Sequence, residues 1–311
     1  MKSLDPPTVR RWAVELAKLG HDPIQLSAGV EGAVFTLGDD TVAKVWNSRK
    51  EHEIVSMAAF YDALLGADLP FLTPKILSIG RLSNFTFSIE RKLPGRPLFP
   101  DHTGQSPPLD KQTLTCVATV LKALAAVAPS SEMKILPVLD DPDPLWQDGS
   151  FNSSLCQLVS RRVARSLTYT AVAISNIEAL AAALVNRLST MEPRGDGLIH
   201  GDLIPANIHV NEHGGVAAVL DFGFFTTVGD PAFDAAVTAN IFDMYGPNKQ
   251  VSCTVMEGMI RDAFGYSQDV ISVYTAAYAM ATMTLFGSSE ADGHFHWCAE
   301  VLRRPDVLRA L

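Results

Sequence analysis

The sequence predicts an α+β chain in two lobes: a small N-terminal lobe with an antiparallel sheet plus one helix, and a larger, mostly helical C-terminal lobe. Three observations predict it. β-type runs separated by glycine turns fill Ile24 to Trp46, Pro94-Gly95-Arg96-Pro97 breaks the chain, and Ala/Leu-rich segments dominate beyond that break.

Taken in order, residues 8–19 read as a short amphipathic helix. Three runs follow: Ile24-Gln25-Leu26-Ser27, Ala33-Val34-Phe35-Thr36-Leu37 and Thr41-Val42-Ala43-Lys44-Val45-Trp46. Gly29 and Gly32 separate the first two, and Gly38-Asp39-Asp40 turns between the next two. Residues 49–65 read as a helix closed by Gly66, and strands are expected around Lys75–Leu82 and Thr86–Arg91. The lobes are therefore expected at 1–93 and 94–311. In the second, Leu109–Val127 and Ile177–Met191 read as core helices, and Pro137–Trp146 as a loop or insertion. Leu198–Asp221 reads as two short strands around a loop.

Composition excludes several classes. The 311 residues are 47% hydrophobic and 19% charged, enough apolar matter for a large core. A net charge of −9 argues against a nucleic-acid partner, although phosphate sites need only local donors, metal ions and a lysine or two. Cys116, Cys156, Cys253 and Cys298 form no CxxC pair and read as free thiols, and the N-terminus has no apolar leader. The uncharged stretch Val270–Phe286 is too polar for a membrane span and reads as a buried helix, so the chain is expected to be cytoplasmic. Oligomeric state is left open.

The chemistry concentrates in Leu198-Ile199-His200-Gly201-Asp202-Leu203-Ile204-Pro205-Ala206-Asn207-Ile208, followed by Leu220-Asp221-Phe222-Gly223. Phosphoryl transfer asks little covalent help of a protein: an orienter for the attacking hydroxyl, ligands for Mg²⁺ and cations on the phosphates. Asp202 is the candidate catalytic carboxylate; Asn207 and Asp221 are the candidate metal ligands, oxygen donors that suit a hard cation. His200 reads as a scaffold residue. No G-x-x-x-x-G-K-[ST] and no G-x-S-x-G occurs.

His-Gly-Asp-x4-Asn with a following strand ending in Asp-Phe resembles the aminoglycoside phosphotransferase family, the small-molecule branch of the protein-kinase-like fold. Gly229-Asp230-Pro231-Ala232-Phe233-Asp234 resembles a further family element whose last aspartate is structural. The resemblance runs from about Ile24 to Leu311. It implies a Mg²⁺-dependent kinase that takes the γ-phosphate from ATP or GTP. The expected partners are that nucleoside triphosphate and a small hydroxylated acceptor, an antibiotic such as an aminoglycoside or a related natural product. A housekeeping amino-alcohol or sugar kinase, or a nucleotide-binding regulator without turnover, are the alternatives.

The N-terminal lobe bears on the same reading. Val42-Ala43-Lys44-Val45 resembles the strand carrying a kinase's phosphate-binding lysine, and Lys44 needs a carboxylate partner, Glu53 or its rival Glu51. Gly29-Val30-Glu31-Gly32 resembles a shortened nucleotide-covering hairpin, with Val34 against the base. Phe87–Leu98 looks like the family's hinge strand, where Glu90 and Lys92 would offer main-chain groups to the purine. Between Gly223 and Gly229 there is no room for a peptide-binding activation segment, which favours a small acceptor. Asp230, Asp243, Glu257 and Asp262 are candidate carboxylates for an aminated acceptor. His294 and His296 lack the companions a metal site requires.

Overall fold

A computed structural model describes all residues except 1–3, 30, 48, 83–84, 100–107, 147–148 and 193. Helix α1 (Pro6–Ala17) starts where Asp5 accepts from the Thr8 amide and Pro6 stands in the first turn, slightly earlier than periodicity alone suggests. Strands β1 (Ile24–Ala28), β2 (Gly32–Thr36), β3 (Thr41–Trp46), β4 (Ile76–Leu82) and β5 (Phe85–Arg91) form one antiparallel sheet in the order β1-β2-β3-β5-β4.

Period-two alternation gives that sheet two different faces. Ala33, Phe35, Ala43, Val45, Phe85 and Phe87 pack with Val9, Trp12 and Leu16 of α1 into a small core of their own. The other face carries Val34, Lys44 and Ser88, which stand opposite one another across β2, β3 and β5. Helix α2 (Glu51–Leu65) joins the larger core, because Ile54, Met57, Phe60 and Leu64 pack with Trp46 and with C-terminal residues. The amide of Gly66, just past the helix, satisfies the carbonyls of Ala63 and Leu64.

The rest of the chain comprises β6 (Arg96–Pro97), α3 (Lys111–Ala125), α4 (Phe151–Ala173), α5 (Ile177–Ser189), β7 (Gly197–Ile199), β8 (Ile208–Val210) and β9 (Val216–Val219). It continues through β10 (Thr227–Gly229), α6 (Pro231–Ile241), α7 (Lys249–Phe264), α8 (Gln268–Thr282), α9 (Gly293–Leu302) and α10 (Pro305–Ala310). Every residue of α8 from Val270 to Thr282 is buried, so this apolar stretch is a core helix. Among the described residues no helix is long and apolar enough to cross a membrane.

One expectation needs correction. The stretch from Leu198 to Asp221 holds three short strands, β7 to β9, because β7 pairs with β10 while β8 lies between β6 and β9. The expected loop at Pro137–Trp146 is loop, with one bridge between Pro137 and Pro144. From Phe151 the buried residues Leu155, Leu158, Val159 and Val163 recur at helical spacing, and α4 runs for 23 residues.

Candidate active site

The site is built on the turn between β7 and β8. His200 is fully buried and its ring is committed at both nitrogens: Nε2 lies 2.8 Å from the Leu220 carbonyl, and Nδ1 accepts the Asp202 amide at 3.2 Å. That pattern requires the neutral ring with its proton on Nε2, and burial lowers its pKa to about 4. The buried Asp234 carboxylate accepts the amides of His200 at 3.1 Å and Gly201 at 2.8 Å. Gly201 has φ +74°, and a Cβ there would stand 2.4 Å from that of Phe225. Only glycine lets this turn press against the Phe225 segment.

The same turn presents Asp202 and Asn207. Asn207 Nδ2 donates to the Asp202 carbonyl at 2.8 Å, and the Asn207 carbonyl accepts the Leu220 amide at 2.9 Å. Asp202 is half-buried, and its carboxyl is raised to about 7, first by loss of solvent and then by the negative charges of Asp221, Glu31 and Asp234.

Asp221 lies two residues past β9 at φ +61°, in the left-handed region that few non-glycine residues enter. Its side chain is 51% exposed, and Oδ1 accepts from Lys44 Nζ at 2.8 Å. The Lys44 ammonium holds the Asp221 carboxyl below the usual range. Burial alone would lower Lys44, but Asp221, Glu31 and Glu90 outweigh it and raise it. Phe222 fixes the turn from behind, with ring centroids 4.5 Å from His200 and 5.7 Å from Phe60 of α2.

The structure thus gathers Lys44, Asp202, Asn207 and Asp221 around one cleft, with Val34 next to Lys44 on the same sheet face. Gly29 and Gly32 close the β1–β2 turn through an amide-to-carbonyl bond of 2.9 Å. A Cβ on Gly32 would stand 2.0 Å from the Val45 carbonyl, so the close strand approach itself requires glycine there. Val30 lies outside the described residues.

Three expectations fail. Glu53 is not the partner of Lys44: it occupies the first turn of α2, where its Oε2 accepts the Lys50 amide at 2.6 Å, and Glu51 is exposed. Glu90 is interior to the sheet, between Val42 of β3 and Ile76 of β4, so its main chain belongs to the ladders. The Lys92 amide is likewise spent on the Asp40 carbonyl at 2.8 Å. The buried Glu90 side chain instead takes a 2.5 Å bond from Ser88 and supplies negative charge to Lys44; burial raises its own carboxyl. The alternation Phe85-Phe87-Ile89 against Thr86-Ser88-Glu90 carried that signal in the sequence. Arg49, which no motif singled out, is joined at 3.0 Å to Glu31 of the β1–β2 turn.

Three of the four candidate acceptor carboxylates are committed elsewhere. Asp230 caps α6 and is held by Arg194 and Tyr274; Asp243 accepts from Ser252; Glu257 is paired with Arg304 and Gln268. Asp262 faces a shallow groove between α3 and α7. An aromatic cluster lies near Asp202 through Tyr245. Tyr245 is 65% exposed with Oη 3.2 Å from His294 Nδ1, the His294 ring stands edge-on to Phe286 at 5.1 Å, and Phe286 stacks on Phe224 at 6.2 Å. Partial loss of solvent at its hydroxyl, then Cys298 and the Asp292 and Asp202 carboxylates, push the Tyr245 phenol up to about 12 although the ring is exposed. The 137–146 loop backs this cluster through the Leu139 amide on the Phe224 carbonyl at 2.6 Å.

A small sheeted lobe set on a helical one, with a lysine and an aspartate joined across their cleft, is the kinase-like architecture of the small-molecule phosphotransferases. Solved structures with this fold include a thermostable mutant of aminoglycoside phosphotransferase APH(4)-Ia, at TM-score 0.64 and 20% identity over 95% of this chain and 96% of that one. The macrolide 2'-phosphotransferase MphH from Brachybacterium faecium matches at TM-score 0.59 and 18% identity, over 95% and 98%. The streptomycin–ATP–APH(2")-IIa ternary complex matches at TM-score 0.56 and 16% identity, over 98% of each chain. A search of the curated proteins finds no match. Residues 23–252 match the phosphotransferase enzyme family APH, and the chain belongs to that family: it is a small-molecule phosphotransferase.

Proposed function

We propose that the protein transfers the γ-phosphate of ATP or GTP to a hydroxyl of a small molecule, with Mg²⁺ required. The observation that carries this reading is the bond between Lys44 and Asp221 across a cleft that also holds Asp202 and Asn207. Asp202 takes the hydroxyl proton as the acceptor oxygen attacks the γ-phosphorus. The bond from that phosphorus to the β–γ bridging oxygen breaks, and the nucleoside diphosphate leaves with the electron pair. Lys44 neutralises charge on the α- and β-phosphates, with Val34 and the turn from Gly29 to Gly32 covering the base.

The donor set fits a hard cation, because it is made of oxygen atoms. With Nδ2 of Asn207 committed to the Asp202 carbonyl, Oδ1 is the atom left to face an ion, and Asp221 adds a carboxylate. When bound, the metal would supply charge neutralisation on the phosphates.

The acceptor is read as an antibiotic, an aminoglycoside or a related natural product. Within that range the aromatic cluster of Phe224, Tyr245 and Phe286 favours an apolar, ring-bearing alcohol of macrolide type over a polycation. The commitment of Asp230, Asp243 and Glu257 to other partners supports the same choice. Coupled ADP or GDP release over a panel of aminoglycosides, macrolides, amino alcohols and sugars tests both readings. Turnover only with polycations would overturn the aromatic reading. Tight nucleotide binding with no turnover of any acceptor would support a binding module in place of an enzyme.

A further inference from the structure

Two charged residues sit at the mouth of the cleft without a part in the chemistry above. Arg49, just past β3, has a side chain only 15% exposed, and its Nη2 lies 3.0 Å from Glu31 Oε1. The guanidinium carbon stands 5.3 Å from the centre of the Trp46 ring, and Lys44 Nζ stands 4.3 Å from the same ring. Arg49 Nη2 also comes within 3.4 Å of where a Cβ on Gly223 would lie, which sets the guanidinium against the Asp221–Gly223 turn. Trp46 thus has two cations close to its ring, one of them bonded to Asp221.

Glu31 belongs to the turn between β1 and β2, and its side chain is 44% exposed. Its carboxylate is bonded to Arg49, and its negative charge also acts on Lys44 and on Asp202. A shielded guanidinium needs an anion, and its planar fork suits carboxylate and phosphate alike. The Glu31 carbonyl accepts the Asn47 amide at 2.9 Å, so the backbone is tied to the end of β3 and a side-chain rotation is enough to release Arg49.

Resting on the nucleotide reading above, we propose that Arg49 is a second phosphate-binding cation beside Lys44, and that Glu31 occupies the phosphate position in the nucleotide-free protein. The polyphosphate, carrying more charge than one carboxylate, displaces Glu31 and takes over Arg49. Leaving Glu31 in place would set two anions against each other, so release and binding are one exchange.

Calorimetric binding of Mg²⁺–ATP, Mg²⁺–GTP, adenosine and guanosine to the wild type, Arg49→Ala, Arg49→Lys and Glu31→Gln tests this. Arg49→Ala is expected to weaken triphosphate binding by about tenfold to a hundredfold, the range for charge-assisted hydrogen bonds, and to leave nucleoside binding unchanged. Arg49→Lys recovers part of the loss, and Glu31→Gln tightens triphosphate alone. Equal triphosphate affinity in wild type and Arg49→Ala overturns the inference while the nucleotide reading stands. Weaker triphosphate binding in Glu31→Gln overturns the displacement, and it does so even if Arg49→Ala fails to fold. A wild type that binds no triphosphate overturns the nucleotide reading and the inference with it.

Discussion

Lys44 and Asp221 lie 177 positions apart in the chain, and their side chains meet at 2.8 Å. The bond ties the sheet of the small lobe to the turn after β9, whose Phe222 ring is held by α2 on one side and His200 on the other. The cleft is therefore assembled from both lobes, and each of its members can be tested separately.

Asp202→Asn removes the proton acceptor and leaves the nucleotide-facing groups in place. Transfer is expected to fall by about two to four powers of ten, the range for loss of a general base, with ATP affinity nearly intact. Since the ionised form is the active one and the carboxyl is raised to about 7, wild-type activity should decline as pH falls through neutrality. Steady-state rates across pH, beside calorimetric ATP affinities, check both points. A large loss of ATP binding would count against the assignment.

Lys44→Ala is expected to lower kcat by about two to four powers of ten, on the scale of removing preorganised charge stabilisation. Asp221→Ala should act earlier, weakening Mg²⁺–nucleotide binding itself and shifting the Mg²⁺ dependence. Unchanged metal titration curves in Asp221→Ala would remove that residue from the ligand set.

Gly201→Ala introduces a side chain at φ +74° and places a Cβ within 2.4 Å of that of Phe225. The left-handed cost and the overpacking together should destabilise the fold by about 2–4 kcal/mol. Urea denaturation compares this variant with Gly29→Ala, whose Cβ would meet nothing within 4 Å. Equal midpoints would refute the packing argument.

His200 is neutral and bonded at both nitrogens, with a pKa lowered to about 4 against an ordinary value of 6.5. The unfolded chain therefore binds a proton that the native ring refuses between those two values. By linkage, this histidine's contribution to stability is lost as pH falls from about 6.5 towards 4. Asp234, raised to about 6 by burial, acts in the opposite sense over part of that window, so the difference between proteins is the useful quantity. Wild type should show a steeper acid loss of unfolding free energy than His200→Asn. A His200 resonance that titrates near 6.5 by NMR would contradict the prediction.

Most secondary structure was legible in the sequence because its signals are local. Gly38 turns a hairpin, Gly66 ends α2, and alternation in β2, β3 and β5 separates one face from the other. Helix α4 was not legible, since its serines, threonines and arginines interrupt the apolar pattern while the buried positions keep the helical period. The short spacing from Asp202 to Asn207 was also legible, because both belong to one turn.

What the sequence determined by itself was the two-lobed α+β fold and the family, through residues whose spacing the backbone must honour within a single turn or strand. Only the tertiary structure decided which charges neutralise one another. Lys44 meets Asp221 and lies near Glu90, while Glu53 caps its own helix. Arg49 and Glu31, in separate loops, face each other at the mouth of the cleft. Charge pairing depends on distance in space, and a few ångströms between distant segments cannot be read from their order along the chain.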